Sequence, residues 1–318
     1  RLAEVCRERD LVFQVTPNPQ RPASMLQILW LCHGVLRAPL RATVLTALDS
    51  VAVRPLRHFF PASLYAINRL LGGNLRYQSL TEPFTVYSDG PLTPLFEEFP
   101  SGVALNDCDT GAQRAALWAA PEFRARFKAD WLSTWLKTFH RDLSLMTVAR
   151  CPDRALEGLS FAAIAAARGQ EPVDCFMDIL AAHDTDLRWV STGANDRPGP
   201  RRALLRHPGI LPGFTDAGAH VRNLAFYDGP LSLLRDAVQG GWMTPQRAVQ
   251  RCTAAPAEWF RLDAGVLAEG RRADITLLDP SRLRDAAQEP EALSDPLLDG
   301  AMRLFTRGHD ALGRSVFV

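Results

Sequence analysis

The chain has 318 residues, and at ~150 residues per domain that length suggests two domains or one large one. Hydrophobic residues make up 47% and charged residues 22%, which excludes disordered and collagen-like architectures as the main state. The formal net charge is +1, so no whole-chain field recruits nucleic acid or an acidic membrane surface. The basic side chains are nearly all Arg, with Lys128 and Lys137 the lysines. Cys6, Cys32, Cys108, Cys151, Cys175 and Cys252 form no CxxC pair, so reduced core thiols in a cytoplasmic protein are expected. The apolar stretch around Met25–Leu40 is interrupted by His33 and Arg37 and is too short for a membrane span, which needs ~20 apolar residues. No secretory signal is visible. The chain begins at Arg1, consistent with processing or with a piece of a longer protein.

Leu2, Val5 and Cys6 carry helical spacing over Arg1–Arg9, and Leu11–Val15 reads as a short buried strand stopped by Pro17 and Pro19. Residues Ala23–Leu71 read as long, apolar and helical, broken at Pro39, Pro55 and Pro61. Tyr77–Pro100 reads as an irregular anchored loop. Gln113–Leu136 is helical again, and its aromatics Trp118, Phe123, Phe127 and Trp131 read as core packing. A strand–helix alternation follows. Leu145–Ala149, Leu187–Ser191 and Ile210–Thr215 are strand candidates. Ser160–Arg168, a helix opening at Pro172, Arg201–Arg206, Pro230–Val238 and Pro245–Cys252 are helix candidates, with Gly169 as a stop and Thr244 as a cap. This is the pattern of a parallel α/β fold, whose sites lie in the turns after strand ends. Asp274–Asp279, Arg303–Thr306 and Ser315–Val318 are short strand candidates in the tail.

The sequence has no GxSxG, GxxxxGK, GxGxxG or HExxH motif, which removes nucleotide-binding and serine-hydrolase readings. One cluster invites a ligand: Gly213-Phe214-Thr215-Asp216-Ala217-Gly218-Ala219-His220. A short acid at a strand end, followed by small residues, leaves room for a ligand or metal. The same acid could simply cap the next helix.

FTDAGAHVRN over Phe214–Asn223, TAAPA over Thr253–Ala257 and GVLAEGRRADI over Gly265–Ile275 resemble the C-terminal part of metal-dependent amidohydrolases, in the N-acyl-D-amino-acid deacylase (D-aminoacylase) branch. Glu82–Tyr87 and Phe96–Pro100 are similar to relatives of that branch. The resemblance implies an α/β chain forming the C-terminal portion of a (β/α)8 TIM-type barrel with a helical insertion, plus strands of a small β-sandwich. On that reading residues 1–263 hold barrel strands six to eight, with the insertion at about 23–140, and residues 264–318 return to the sandwich. It implies hydrolysis of a C–N amide bond, in N-acyl-D-amino acids or similar small molecules, with one or two Zn²⁺ ions in the full-length protein. Zinc would lower the pKa of bound water to ~7. Asp216 matches the family's metal-binding and proton-shuttling carboxylate. His220 would support it, Arg222 would pair with a substrate carboxylate, and Asn195 with Asp196 would touch substrate from the presumed seventh strand. Tyr87, Asp89, Glu97 and Glu98 are further polar candidates on a lid-like loop.

The departures are large. The family's first-strand His-x-His pair is absent, and Phe13–Pro17, aligned to the sixth strand, has no histidine. Strands one to five would then lie upstream of Arg1. The isolated chain is expected to bind no zinc, to be catalytically inactive, and to associate or dissolve poorly through open sheet edges. The competing reading is a non-catalytic binding or scaffold protein derived from the barrel.

Overall fold

The computed structural model describes residues 1–18, 21, 23–36, 38–45, 47–133, 137–215, 217–279, 281–284, 290–298, 302–305 and 312–316. Helix α1 (Leu2–Glu8) precedes strand β1 (Phe13–Val15), and α2 (Ala23–Cys32) leads to β2 (Arg41–Val44). Helix α3 (Phe59–Tyr65) leads to β3 (Asn74–Ser79). Next come β4 (Phe84–Asp89), α4 (Pro100–Asn106), α5 (Gly111–Ala119), α6 (Pro121–Leu132), β5 (Met146–Arg150), α7 (Phe161–Arg168), α8 (Pro172–His183) and β6 (Arg188–Ala194). Helix α9 (Pro198–Arg206) feeds β7 (Ile210–Pro212). Helices α10 (Gly229–Gly240), α11 (Pro245–Cys252) and α12 (Ala254–Phe260) follow, then β8 (Ile275–Leu278), β9 (Glu291–Ser294), β10 (Met302–Phe305) and β11 (Leu312–Val316).

The first sheet is parallel, in the order β1-β2-β3-β7. Phe13 lies opposite Ala42, Arg41 opposite Asn74, and Tyr77 opposite Ile210. Alternation along the strands sets the two faces. Ala42, Val44, Leu75 and Tyr77 are buried with Ile28 and Cys32 of α2 and Phe60 and Leu64 of α3. The Tyr77 hydroxyl meets Ser63 Oγ at 2.8 Å, which satisfies both buried groups. The opposite face is polar: Gln78 Nε2 donates to Gln14 Oε1 at 3.2 Å. Trp259 of α12 donates to Thr43 Oγ1 at 2.5 Å and lies beneath the guanidinium groups of Arg41 and Arg76.

The second sheet is antiparallel, in the order β4-β6-β5, and falls in the chain between β3 and β7. Its core is aromatic: Trp118, Phe123, Phe127 and Trp131 of α5 and α6 are all buried with Phe161, Phe176 and Trp189. Ser160 Oγ accepts from Ala163 N at the start of α7, and Gly169 ends that helix in the left-handed region at φ 66°. At the chain's end, β8 pairs with β11 and β9 with β10, both antiparallel. Among the described residues no helix is long and apolar enough to cross a membrane.

Four expectations are corrected by this topology. The segment 23–140 is not one helical insertion, because β2 and β3 within it are strands of the parallel sheet. The long inserted block lies later, running from β4 to β6. The presumed seventh strand, Leu187–Ser191, belongs to the antiparallel sheet. Counting back from the strand that leads to Asp216, Phe13–Val15 is therefore the fourth parallel strand rather than the third. The physical reason is that β2 is four residues long, and a short apolar run does not distinguish strand from helix. Tyr77–Pro100 is likewise not an irregular loop: it holds the end of β3 and all of β4.

Candidate functional site

In a parallel sheet all carboxyl ends lie along one edge, and the turns leaving that edge converge. Here those turns are Thr16 after β1, residues 45 and 47–50 after β2, 80–82 after β3 and 213–215 after β7. The last turn is the most contorted. Gly213 has φ 146° and Phe214 φ 67°, and a bulky side chain in the left-handed region costs about 1–2 kcal/mol. Gly213 N donates to Ser79 O at 2.9 Å, so the turn is held against the end of β3. Asp216, the expected catalytic and metal-binding residue, lies outside the described residues. His220, four positions on, is half-buried, and its carbonyl accepts from the backbone N–H groups of Asn223 and Leu224.

The structure does not gather the other expected substrate contacts around that turn. Asn195 is fully buried at φ 58°. Its Oδ1 accepts from Asp49 N at 3.0 Å and its Nδ2 donates to Leu80 O at 3.2 Å. It braces the turns after β2 and β3 from behind, so the expectation that it touches substrate is corrected: no surface is left for a ligand. Asp196 is engaged by the Arg54 fork at 2.5 and 2.7 Å, which holds its carboxyl below the usual carboxylate range. Arg222 donates to Asp89 Oδ2 at 3.0 Å, which turns it toward the end of β4. Glu98 accepts from Thr138 N at 2.7 Å and anchors the chain after α6. Glu97 is exposed, and Tyr87 is half-buried with its backbone bound to Asn223.

Two features at the strand ends had no sequence signal. Asp49 is completely buried and receives Arg197 through two bonds of 2.9 and 2.7 Å, with Arg54 at 3.2 Å. Arg54 lies near it in sequence, but Asn195 and Arg197 come from 146 and 148 residues away, so sequence spacing could not reveal the whole cluster. The second is Glu82, just past β3. Burial pushes its carboxyl up to about 8, and hydrogen-bonded Asp228 at the start of α10 pushes the same way, against Arg235 and Arg201. Its Oε1 is buried without a hydrogen-bond partner. A carboxyl beside a carboxylate in such surroundings shares one proton.

The donor set for a metal ion is thin. None of the described turns at this edge carries a histidine or cysteine. Among the described residues no group of three His, Cys, Asp or Glu side chains comes together. A protein zinc site takes three or four such ligands. The residues described here therefore do not by themselves fit a zinc ion.

Comparison with known proteins agrees with this frame. Residues 200–301, spanning α9, β7 and the turn toward Asp216, match the sequence model of the amidohydrolase family. Uncharacterized proteins of Mycobacterium tuberculosis and Mycobacterium bovis are each 35% identical over 317 residues, covering 96% of this chain and 52% of theirs. The chain thus spans about half the length of the curated relatives it matches. Among solved structures, an N-acyl-D-glutamate deacylase from Bordetella bronchiseptica, complexed with zinc and a phosphonate inhibitor, superposes with a TM-score of 0.52 at 16% identity, covering 99% of this chain and 54% of that one. A D-aminoacylase with a binuclear metal center gives 0.53 at 13% identity, with the same coverage of 99% and 54%. Residues 200–301 thus carry an amidohydrolase-family match, and the chain shares the fold of D-aminoacylase-like solved structures.

Proposed function

We propose that the chain supplies the second half of an amidohydrolase barrel, β1, β2, β3 and β7 standing for its fifth to eighth strands. The whole protein would hydrolyse the C–N amide bond of a small N-acyl compound, an N-acyl-D-amino acid being the first candidate class. The observation that carries the reading is the family match across β7, together with the strained turn at Gly213 and Phe214 on the carboxyl edge of a parallel sheet, just before Asp216 in the sequence. Asp216 would take up a proton as the amide is attacked and return it to the leaving amine. His220, close behind it in the chain, is the remaining candidate for a substrate contact. Zinc, if the whole protein carries it, would have Asp216 as this chain's ligand, with the others supplied from outside the described residues. On the same reading the 318-residue chain alone is inactive, and its free thiols suit a cytoplasmic setting.

The test compares the whole protein, the 318-residue chain and an Asp216→Ala version of the whole protein. Metal content is read by mass spectrometry, and hydrolysis of N-acyl-D-amino acids by amine release. The expected result is metal and activity in the whole protein, with Asp216→Ala reducing kcat by about 10²-fold or more. No metal in any of the three, together with no hydrolysis, would move the reading to a barrel-derived binding protein. The thin metal-donor set among the described residues is the observation that keeps that second reading in play.

A further inference from the structure

At the end of β4 remote from Phe84, a cavity of about 140 Å³ is lined by Asp89, Thr185 and four arginines, Arg150, Arg188, Arg222 and Arg303. Three parts of the chain meet there: the β4-β6-β5 sheet, the segment after β7 and the C-terminal β9-β10 ribbon. The segment after β7 is fastened on both sides. Asn223 bonds to Tyr87 and Leu92, and Leu304 N donates to Val221 O at 2.8 Å. The arginines are thus held by backbone rather than trailing from a loose surface.

Positive charge exceeds what the cavity neutralises. Asp89 accepts from Arg222 at 3.0 Å and lies 3.6 Å from Arg188 Nε, too far for a hydrogen bond. Arg303 pairs with Asp295 at 3.1 Å and packs over the Tyr227 ring. Arg150 is exposed and makes no ion pair with a described carboxylate. The Nε–H groups of Arg188 and Arg222 are buried with no hydrogen-bond partner among the described residues. Burial lowers the Arg188 pKa, and neighbouring Arg150 and Arg222 lower it further, against Asp89. Clustered guanidinium groups with unused donors are compensated by an anion whose oxygens accept several forks at once. A singly charged carboxylate offers two oxygens in one plane. A tetrahedral dianion offers oxygens in several directions and matches both the excess charge and the size of the cavity.

We propose that this cavity is a binding site for a tetrahedral oxyanion, either inorganic phosphate or the phosphate group of a small ester, tying the segment after β7 and the C-terminal ribbon to the antiparallel sheet. The site is independent of the amide-hydrolase reading.

Isothermal titration of the full-length protein with inorganic phosphate and with glycerol 3-phosphate, at constant ionic strength, tests it. One saturable site is expected, weakened by about tenfold or more in Arg150→Gln and in Arg222→Gln, and unchanged in Arg206→Gln, which lies outside the cavity. Arg150 is exposed and makes no ion pair with a described carboxylate, so its variant is expected to fold, which circular dichroism checks. Tighter binding of the ester identifies an esterified ligand, and equal or weaker binding identifies free phosphate; both support the site. No binding, binding unchanged in both cavity variants, or binding abolished by a chelator would overturn it, the last by placing the anion on a metal.

Discussion

Glu82 shows how one buried side chain can set the acid–base behaviour of the fold. In the folded protein its carboxyl keeps a proton to about pH 8, whereas its ordinary value is 4.5. Between those values the folded state binds more protons than the unfolded state, so stability must fall as pH rises through the window. The contribution is fully present below about pH 4.5 and is lost as pH passes 8, and the shift corresponds to about 5 kcal/mol. Glu82→Gln mimics the protonated form, donates to Asp228, and should flatten the fall in unfolding free energy between pH 5 and 8. Urea titrations across that range check this, and an undiminished slope in the variant would show that the proton resides elsewhere. Asn195 gives the converse lesson about reading single residues. Its place at a strand end marked it as ligand-facing. Only the fold shows that its left-handed backbone turns its amide inward to Asp49 and Leu80. The turn after β7 was legible because Gly213, Phe214 and Thr215 open a run of eight consecutive residues rich in small side chains. The carboxyls of Asp49 and Glu82 were not, because Arg197 and Asn195 around the first and Asp228 beside the second lie about 150 residues away in sequence.

Among the elements, α8 does the most to join the inserted block. Phe176 is fully buried, and its ring meets Trp131 at 5.0 Å, Phe161 at 4.7 Å and Trp189 at 5.7 Å. These rings come from α6, α7 and β6, so one side chain ties two helices and a sheet to α8. Phe176→Ala should cost about 3–5 kcal/mol through lost transfer energy and the cavity left behind. In urea the midpoint should fall with little change in slope, and a loss below about 1 kcal/mol would mean that the neighbouring rings close the gap. Such elements were legible where the chain carries its own punctuation. Ser160 and Thr244 accept from backbone N–H groups three residues on, and Gly169 and Pro172 fall where a helix ends and the next begins. Pairing was not legible. Strand β6 alternates buried and half-buried residues like any half-covered strand, and nothing local says that its neighbours run antiparallel. Strand β2 disappeared into its apolar flanks for want of length.

At the scale of the whole molecule the parallel sheet poses the main physical problem. Among the described residues β1 pairs only with β2 and β7 only with β3, so one edge of each is unpaired. A closed barrel has no such edges, and open ones template association. Helix α2 also shows exposed apolar side chains. On α2, Ile28 and Cys32 point into the core, while Leu26 and Trp30, one turn apart, are 67% and 61% exposed. Leu36, just beyond the helix, is 75% exposed. Helix α1 does not cover them: Arg7 bonds to the carbonyls of Leu31 and Ala38, and α1 leaves Leu2 exposed in turn. Exposed apolar side chains on α2 and an unpaired strand edge are both places where a second chain can dock. The 318-residue chain on its own should therefore self-associate. Sedimentation velocity at rising concentration should show species larger than 35.2 kDa. Leu26→Glu with Trp30→Glu should shift the distribution toward monomer, because two carboxylates cannot be buried unpaired at such a contact. A chain that stays monomeric at all concentrations and unfolds in one sharp transition would mean that the edge of β1 is already protected, and the barrel-half interpretation would lose its physical basis.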